Sequence, residues 1–166
     1  QPLQDFEAVH QFLVVNHRFH DTDGNFYPSE WEYIHTHSWA PWNRFPRMGI
    51  WENEGTIVAV AATEFSLGEF LLLINPAYSF LKPEILDYAE EHLNRPNDDG
   101  TKTLRVARLH NGDKEMEALV NQRGYQPDGE EGIGFFNLTK EPDRGLLQDL
   151  SLINTCSCRT QAERQF

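Results

Sequence analysis

Apolar residues recur at helical spacing at the start of the chain, alternate or run on through its middle, and return to helical spacing twice thereafter. Phe6, Val9, Phe12 and Leu13 fall on one face of a first helix, which Asp5 can cap by accepting from the free N–H groups of the first turn. That helix fades near Asn16. A polar turn over 17–27 contains Asp23-Gly24-Asn25, and Pro28-Ser29-Glu30 opens a second helix whose face carries Trp31 and Ile34. Residues 37–46 form a Trp- and Pro-bearing loop. Residues 48–52 and 56–65 predict two strands joined by Asn53-Glu54-Gly55, with glycine where a positive φ is wanted. The second is nearly continuous in Ile, Val and Ala, which predicts cover on both of its faces. Ser66-Leu67-Gly68 turns the chain into a third strand over 69–74, so the three make an antiparallel meander.

From Phe70 to Ile74 the run is wholly apolar, and it passes through Asn75-Pro76 into a helix that starts at Pro83. The fixed φ of proline suits the first helical position, and Glu84 sits near the positive end of the helix dipole. Ile85, Leu86, Ala89 and Leu93 form the buried stripe of this helix. Residues 94–101 read as a surface loop and 103–109 as a strand, followed by His110-Asn111-Gly112. Asp113 caps a further helix with Met116, Leu119 and Val120 turned inward, and Gly124 ends it. Tyr125 starts a short strand, and 132–138 supplies the last one. From Glu141 the regularity fails: 146–153 is a short helix or strand, and 156–166 has no apolar periodicity and reads as a loose extension. The expected organisation is one domain over 1–140 and an irregular extension over 141–166.

Composition narrows the classes. A hydrophobic fraction of 39% with 12% aromatics argues against disorder. Fourteen basic against 26 acidic residues leave a net charge of −12, which repels a polyanion, so nucleic acid is not an expected partner. The apolar runs fall far short of the ~20 residues a membrane helix needs, and no basic stretch leads into an apolar signal segment at the start. The chain therefore reads as soluble and cytoplasmic, with no membrane partner. Cys156 and Cys158 are one residue apart, too close for an unstrained disulfide, and the tail adds no histidine to complete a metal site. They read as inert thiols.

Four clusters carry candidate chemistry. His10, His17, His20, His35 and His37 crowd the first third, and surface histidines account for them better than a metal site does. Asp21-Thr22-Asp23-Gly24-Asn25 lacks the glycine position and terminal glutamate of a calcium loop and reads as a turn. No metal is expected. Trp31, Tyr33, Trp39 and Trp42 with neighbouring acids can line a pocket for an amine, although core packing accounts for at least half of them. Glu64 and Glu69, at the end of one central strand and the start of the next, are the nearest candidates for a general base; the alternative is a pair of solvated strand-end carboxylates.

The order of elements and three segments, 48-MGIWENEGTIVAVAATEF-65, 72-LLINPAYSFLKPEILDYAEEHL-93 and 103-TLRVARLHNGDKEMEALVNQRGY-125, resemble the GNAT superfamily of N-acetyltransferases over residues 5–140. The resemblance implies an α/β (α+β) GNAT-like acyl-CoA acyltransferase fold, with a central mixed, mainly antiparallel sheet flanked by helices. It implies acetyl-CoA as cofactor and direct transfer to a small-molecule or peptide amine. Two neighbouring strands of that fold splay, and the pantetheine arm enters the gap along positions matching Leu73, Ile74 and Asn75. The pyrophosphate lies over positions matching Ser79, Phe80, Leu81, Lys82, Pro83 and Glu84.

The chain departs from the family at that turn. Where the family carries Gln or Arg, then Gly, then Gly or Ala, this sequence has Ser79, Lys82 and Glu84. Pro83 removes an N–H, Glu84 repels a pyrophosphate, and Lys82 offers a point charge in place of a backbone nest. Many members carry a proton-donating tyrosine four residues before the Gly-aromatic pair; here that residue is Val120. These departures resemble the degenerate N-terminal half of tandem GNAT proteins. They imply an alternative role as a non-catalytic binding or scaffolding domain, partnered by a second GNAT domain or by a copy of itself.

Overall fold

A computed structural model describes residues 2–17, 26–38, 42–110, 112–133 and 157–165. The chain opens with α1 (Pro2–Asn16) and α2 (Pro28–Thr36), then a 3-10 turn over Trp42–Arg47. The meander follows as β1 (Gly49–Asn53), β2 (Thr56–Ala62) and β3 (Glu69–Ile74). A 3-10 segment, Pro76–Leu81, leads into α3 (Lys82–His92). The rest comprises β4 (Arg95–Pro96), β5 (Lys102–His110), α4 (Lys114–Gln122), β6 (Gln126–Ile133) and β7 (Ser157–Gln165).

The strands form one sheet in the order β1-β2-β3-β5-β7-β6, with β4 hydrogen-bonded to β5 off that path. Only β3 and β5 run parallel; the other neighbours are antiparallel. A parallel pair needs a long crossover, and α3 provides it. The expected mixed, mainly antiparallel sheet with flanking helices is therefore what the chain forms.

Strand side chains alternate between two cores. Ala59, Ala61, Phe70, Ile74, Leu104 and Val106 pack with α3 and α4 through Ile85, Leu86, Ala89, Met116 and Val120. Val60, Ala62, Leu71, Leu73 and Ala107 face the opposite way, onto Val9, Phe12 and Leu13 of α1 and Trp31 and Ile34 of α2. Both faces of β2 are covered, as its unbroken apolar run predicts. The molecule is thus three layers, with the parallel strand pair at the centre.

Several boundaries differ from expectation for local reasons. Helix α1 begins at Pro2, so Asp5 lies within the first turn instead of capping it. Strand β2 stops at Ala62 because the Thr63 hydroxyl donates to the Ser66 carbonyl at 2.6 Å and closes the turn. Gly68, at φ +95, completes that turn: its N–H donates to Leu93 O at 2.6 Å and its carbonyl accepts from Arg105 N at 2.8 Å. A Cβ there would lie 2.9 Å from the Arg95 Cβ, so glycine is needed both for φ and for space. The loop expected over 94–101 contributes β4.

The largest correction concerns the tail. Among the described residues the last two strands are Gln126–Ile133 and Ser157–Gln165; of the strand expected over 132–138 only 132–133 are described, and they belong to β6. The second of the two pairs with β5 from Thr103↔Gln165 to His110↔Arg159 and with β6 from Gln126↔Glu163 to Ile133↔Ser157. This part of the chain is therefore not a loose extension. Its residues, Ser157-Cys158-Arg159-Thr160-Gln161-Ala162-Glu163-Arg164-Gln165, carry no apolar alternation, so only the ladders to β5 and β6 reveal the strand. The expected elements at 134–138 and 146–153, His20, the calcium-like turn, Trp39, Cys156 and the side chains of Trp42 and Cys158 lie outside the described residues.

Candidate functional site

The site is built on the place where β3 and β5 separate. Among the described residues these strands pair only at Glu69↔Arg105 and Phe70↔Val106. Beyond that point β3 stays with β2, from Ala62↔Leu71 to Ala59↔Ile74, while β5 stays with β7 through Leu109↔Thr160 and His110↔Arg159. Two parallel strands that share a root and follow different partners enclose a wedge open at their C-terminal ends. Helices α3 and α4 start just past that opening. Open parallel-strand edges at helix N-termini are where α/β folds admit ligands.

The separation coincides with a bulge. The β5–β7 register shifts between Val106 and Leu109, placing two β5 residues against one of β7, and Arg108 adopts φ +58. An inserted residue re-aims the side chains that follow it. Regular alternation would point Arg108 toward α3 and α4; instead its guanidinium reaches the α2 side. There Nη1 donates to Glu30 Oε1 at 2.7 Å, Nη2 donates to Glu64 Oε2 at 3.2 Å, and the Phe26 ring lies 4.5 Å below the guanidinium carbon. Glu30 also accepts from the Tyr27 N–H through Oε2 at 3.1 Å, so one carboxylate closes the start of α2 and grips β5.

The two expected bases separate in character. Glu64 is only 9% exposed and is committed to Arg108. Glu69 is half-buried at the root of the wedge and accepts from Phe65 N at 3.3 Å. Val120 is buried in the α3–α4 core, so no proton donor stands at that position.

Leu73, Ile74 and Asn75 do lie along the diverging end of β3. The Leu73 and Ile74 side chains fill opposite cores; the Asn75 N–H donates to Val58 O at 2.9 Å, so by alternation the backbone groups of Leu73 face β2 and those of Leu72 and Ile74 face the wedge. Asn75 caps the turn that follows, its side chain accepting from Ala77 N at 3.0 Å while its carbonyl accepts from Tyr78 N at 2.8 Å. Ser79 and Leu81 are half-buried, whereas Phe80 projects 67% exposed.

The start of α3 is where the sequence expectation needs correcting. Lys82 is 7% exposed, and its ammonium donates to Asp113 Oδ1 at 2.7 Å and Glu115 Oε2 at 3.0 Å. The positive charge expected to attract a phosphate is neutralised by the first turn of α4. Asp113 also caps α4, accepting from Met116 N at 2.9 Å. Glu84 accepts from Trp51 Nε1 at 2.8 Å, and Tyr78 accepts from Asn53 Nδ2 at 2.9 Å, so the β1 end of the hairpin braces the turn. At the far end of α4, Arg123 donates to Asp87, to Glu90 and to the Pro83 carbonyl. Burial alone lowers the affinity of Arg123 for its proton, but the bonds to Asp87 and Glu90 outweigh it and raise the pKa. Helix α4 is thereby tied to α3 at both of its ends.

The structure brings Leu73, Ile74, Asn75 and residues 79–84 together at the mouth of the wedge, and leaves Glu64 and Glu69 near its root. Sequence reasoning passed over Arg108, Glu30 and Asp113 as site residues. The available signal was 103-TLRVARLH-110, where arginines three apart break the period of 2 and so mark a bulge. Of the histidines, His35 is sandwiched by Trp31 and Phe45, at ring distances of 4.1 and 4.3 Å. No group of three or more His, Cys, Asp or Glu suited to a metal occurs among the described residues, and no helix there is long and apolar enough to cross a membrane. Comparison with family models, with curated proteins and with solved structures returns no match to this chain.

Proposed function

We propose that the chain is a GNAT-type N-acetyltransferase domain that admits an acetyl thioester between β3 and β5 and passes the acetyl group directly to a small-molecule or peptide amine. The separation of the strands after Phe70 and Val106 carries this reading, because it leaves the extended backbone groups of Leu72 and Ile74 facing a gap. Exposed strand backbone matches the amide groups of a pantetheine arm by adding hydrogen bonds in the manner of a further strand. The thioester supplies an activated carbonyl and a thiolate leaving group. The chain must then align the amine and take up its proton. Glu69, half-buried at the root of the wedge, is the carboxylate assigned to the proton, since Glu64 is held by Arg108.

A second reading, binding without turnover, is favoured by the commitment of Glu64 to Arg108 and by apolar Val120. Titration calorimetry with acetyl-CoA and coenzyme A, followed by a thiol-release assay over a panel of amines, separates the two. Heat of binding with amine-dependent thiol release supports transfer, and Glu69→Gln should then lower turnover by ~100-fold or more with binding retained. Binding with no thiol release over the panel supports the second reading. No heat at millimolar ligand removes the transferase reading and leaves a scaffolding domain with an impaired cofactor site.

A further inference from the structure

The wedge and its mouth are chemically unlike. The wedge offers neutral extended backbone, whereas the mouth is crowded with carboxylates. Glu84 lies in the first turn of α3, and Asp113 and Glu115 lie at the start of α4. Asp113 and Glu115 bind one ammonium, that of Lys82, at 2.7 and 3.0 Å, while Glu84 accepts from Trp51 Nε1. With Glu117 and Lys114, which pair with each other in the first turn of α4, four carboxylates and two lysines leave an excess of two negative charges at two helix starts, where an anion would otherwise be favoured. Pro83 contributes no N–H, and the Lys82 N–H is bonded to Ser79 O. Arg123, the other cation against this turn, is paired with Asp87 and Glu90.

We infer that the site reads its donor through the uncharged pantetheine arm, and that the phosphates of coenzyme A add nothing to affinity: the donor class is the S-acyl pantetheine thioester. This rests on the proposed wedge and names what that wedge accepts. The cause is electrostatic. The anion-favouring N–H groups of the α3 start are offset by Glu84, and those of the α4 start by Asp113 and Glu115. Moving Lys82 onto a phosphate would take the ion pair from Asp113, whose side chain is 19% exposed, and leave it beside a neighbouring carboxylate, which opposes the exchange; Glu115, 59% exposed, stays solvated.

The test is calorimetry of the full chain with S-acetylpantetheine, which carries no phosphate, and with acetyl-CoA, each at low and at moderate salt. S-acetylpantetheine should bind at least as tightly as acetyl-CoA, and added salt should not weaken acetyl-CoA binding, since screening relieves repulsion. Glu84→Gln should tighten acetyl-CoA severalfold and leave S-acetylpantetheine unchanged, because glutamine can still accept from Trp51. Acetyl-CoA binding ~tenfold tighter than S-acetylpantetheine overturns the inference while sparing the wedge. Loss of acetyl-CoA affinity alone in Lys82→Met overturns it in the same way. Absence of heat with either ligand overturns the wedge itself.

Discussion

Arg108 is the residue on which the site turns. A side chain at φ +58 is strained by its Cβ, by roughly 1–2 kcal/mol relative to glycine, and three contacts hold it there: Glu30, Glu64 and the Phe26 ring. Removing the guanidinium takes the ion pair from two carboxylates whose side chains are 31% and 12% exposed. Arg108→Ala should therefore cost on the order of 2–4 kcal/mol, somewhat below the ~3–5 kcal/mol of a fully buried pair. Arg108→Gly should be milder than Arg108→Ala by about 1 kcal/mol, because it relieves the backbone while losing the same ion pairs. Urea unfolding of the two variants checks the difference, and equal stabilities would remove strain from the account. A smaller effect belongs to Asp99, whose carboxyl is held below its ordinary value by the Thr101 hydroxyl and then by the Thr101 N–H. A depressed folded value makes the contribution complete above the ordinary value of 3.8 and lost as pH falls through the folded one. Titration by NMR should show that depression, and Thr101→Val should lessen it.

Among the elements, α4 shows how one residue can serve helix formation and tertiary attachment together. The Asp113 carboxylate caps the helix through Met116 N and binds the Lys82 ammonium. Asp113→Asn keeps an accepting oxygen but loses the charge, whereas Asp113→Ala loses both. Their difference in thermal or urea stability should be about 1 kcal/mol, the worth of a helix cap. The cap was readable from the sequence, because a short polar residue before an apolar stripe at helical spacing signals a helix start. Its bond to Lys82 was not, since residues 31 apart meet only when two helices lie against one sheet. The same distinction applies to β5, whose arginines mark an interruption that local pattern can flag, while the partners of Arg108 come from α2 and the end of β2.

For the whole molecule, the placement of Ser157–Gln165 between β5 and β6 makes the end of the described chain part of its central sheet. A chain truncated before Ser157 leaves β6 without its ladder and β5 with an open edge. Such a truncation should lower the melting temperature, broaden unfolding and strip hydrogen-exchange protection from 126–133; a truncated chain with unchanged protection in β6 would contradict the pairing. The order of elements from α1 to α3, the meander and the two-sided burial of β2 followed from the sequence alone, because each is written in apolar spacing over neighbouring residues. Tertiary structure alone decided three things: that the β3–β5 ladder ends after Phe70↔Val106 at a bulge that turns Arg108 toward α2, that a tail without apolar rhythm pairs with the far edge of β5, and that Lys82 is neutralised across the mouth. Each is a contact between residues far apart in the chain, where the choice of partner depends on which backbone edges and charges the folded layers bring within reach.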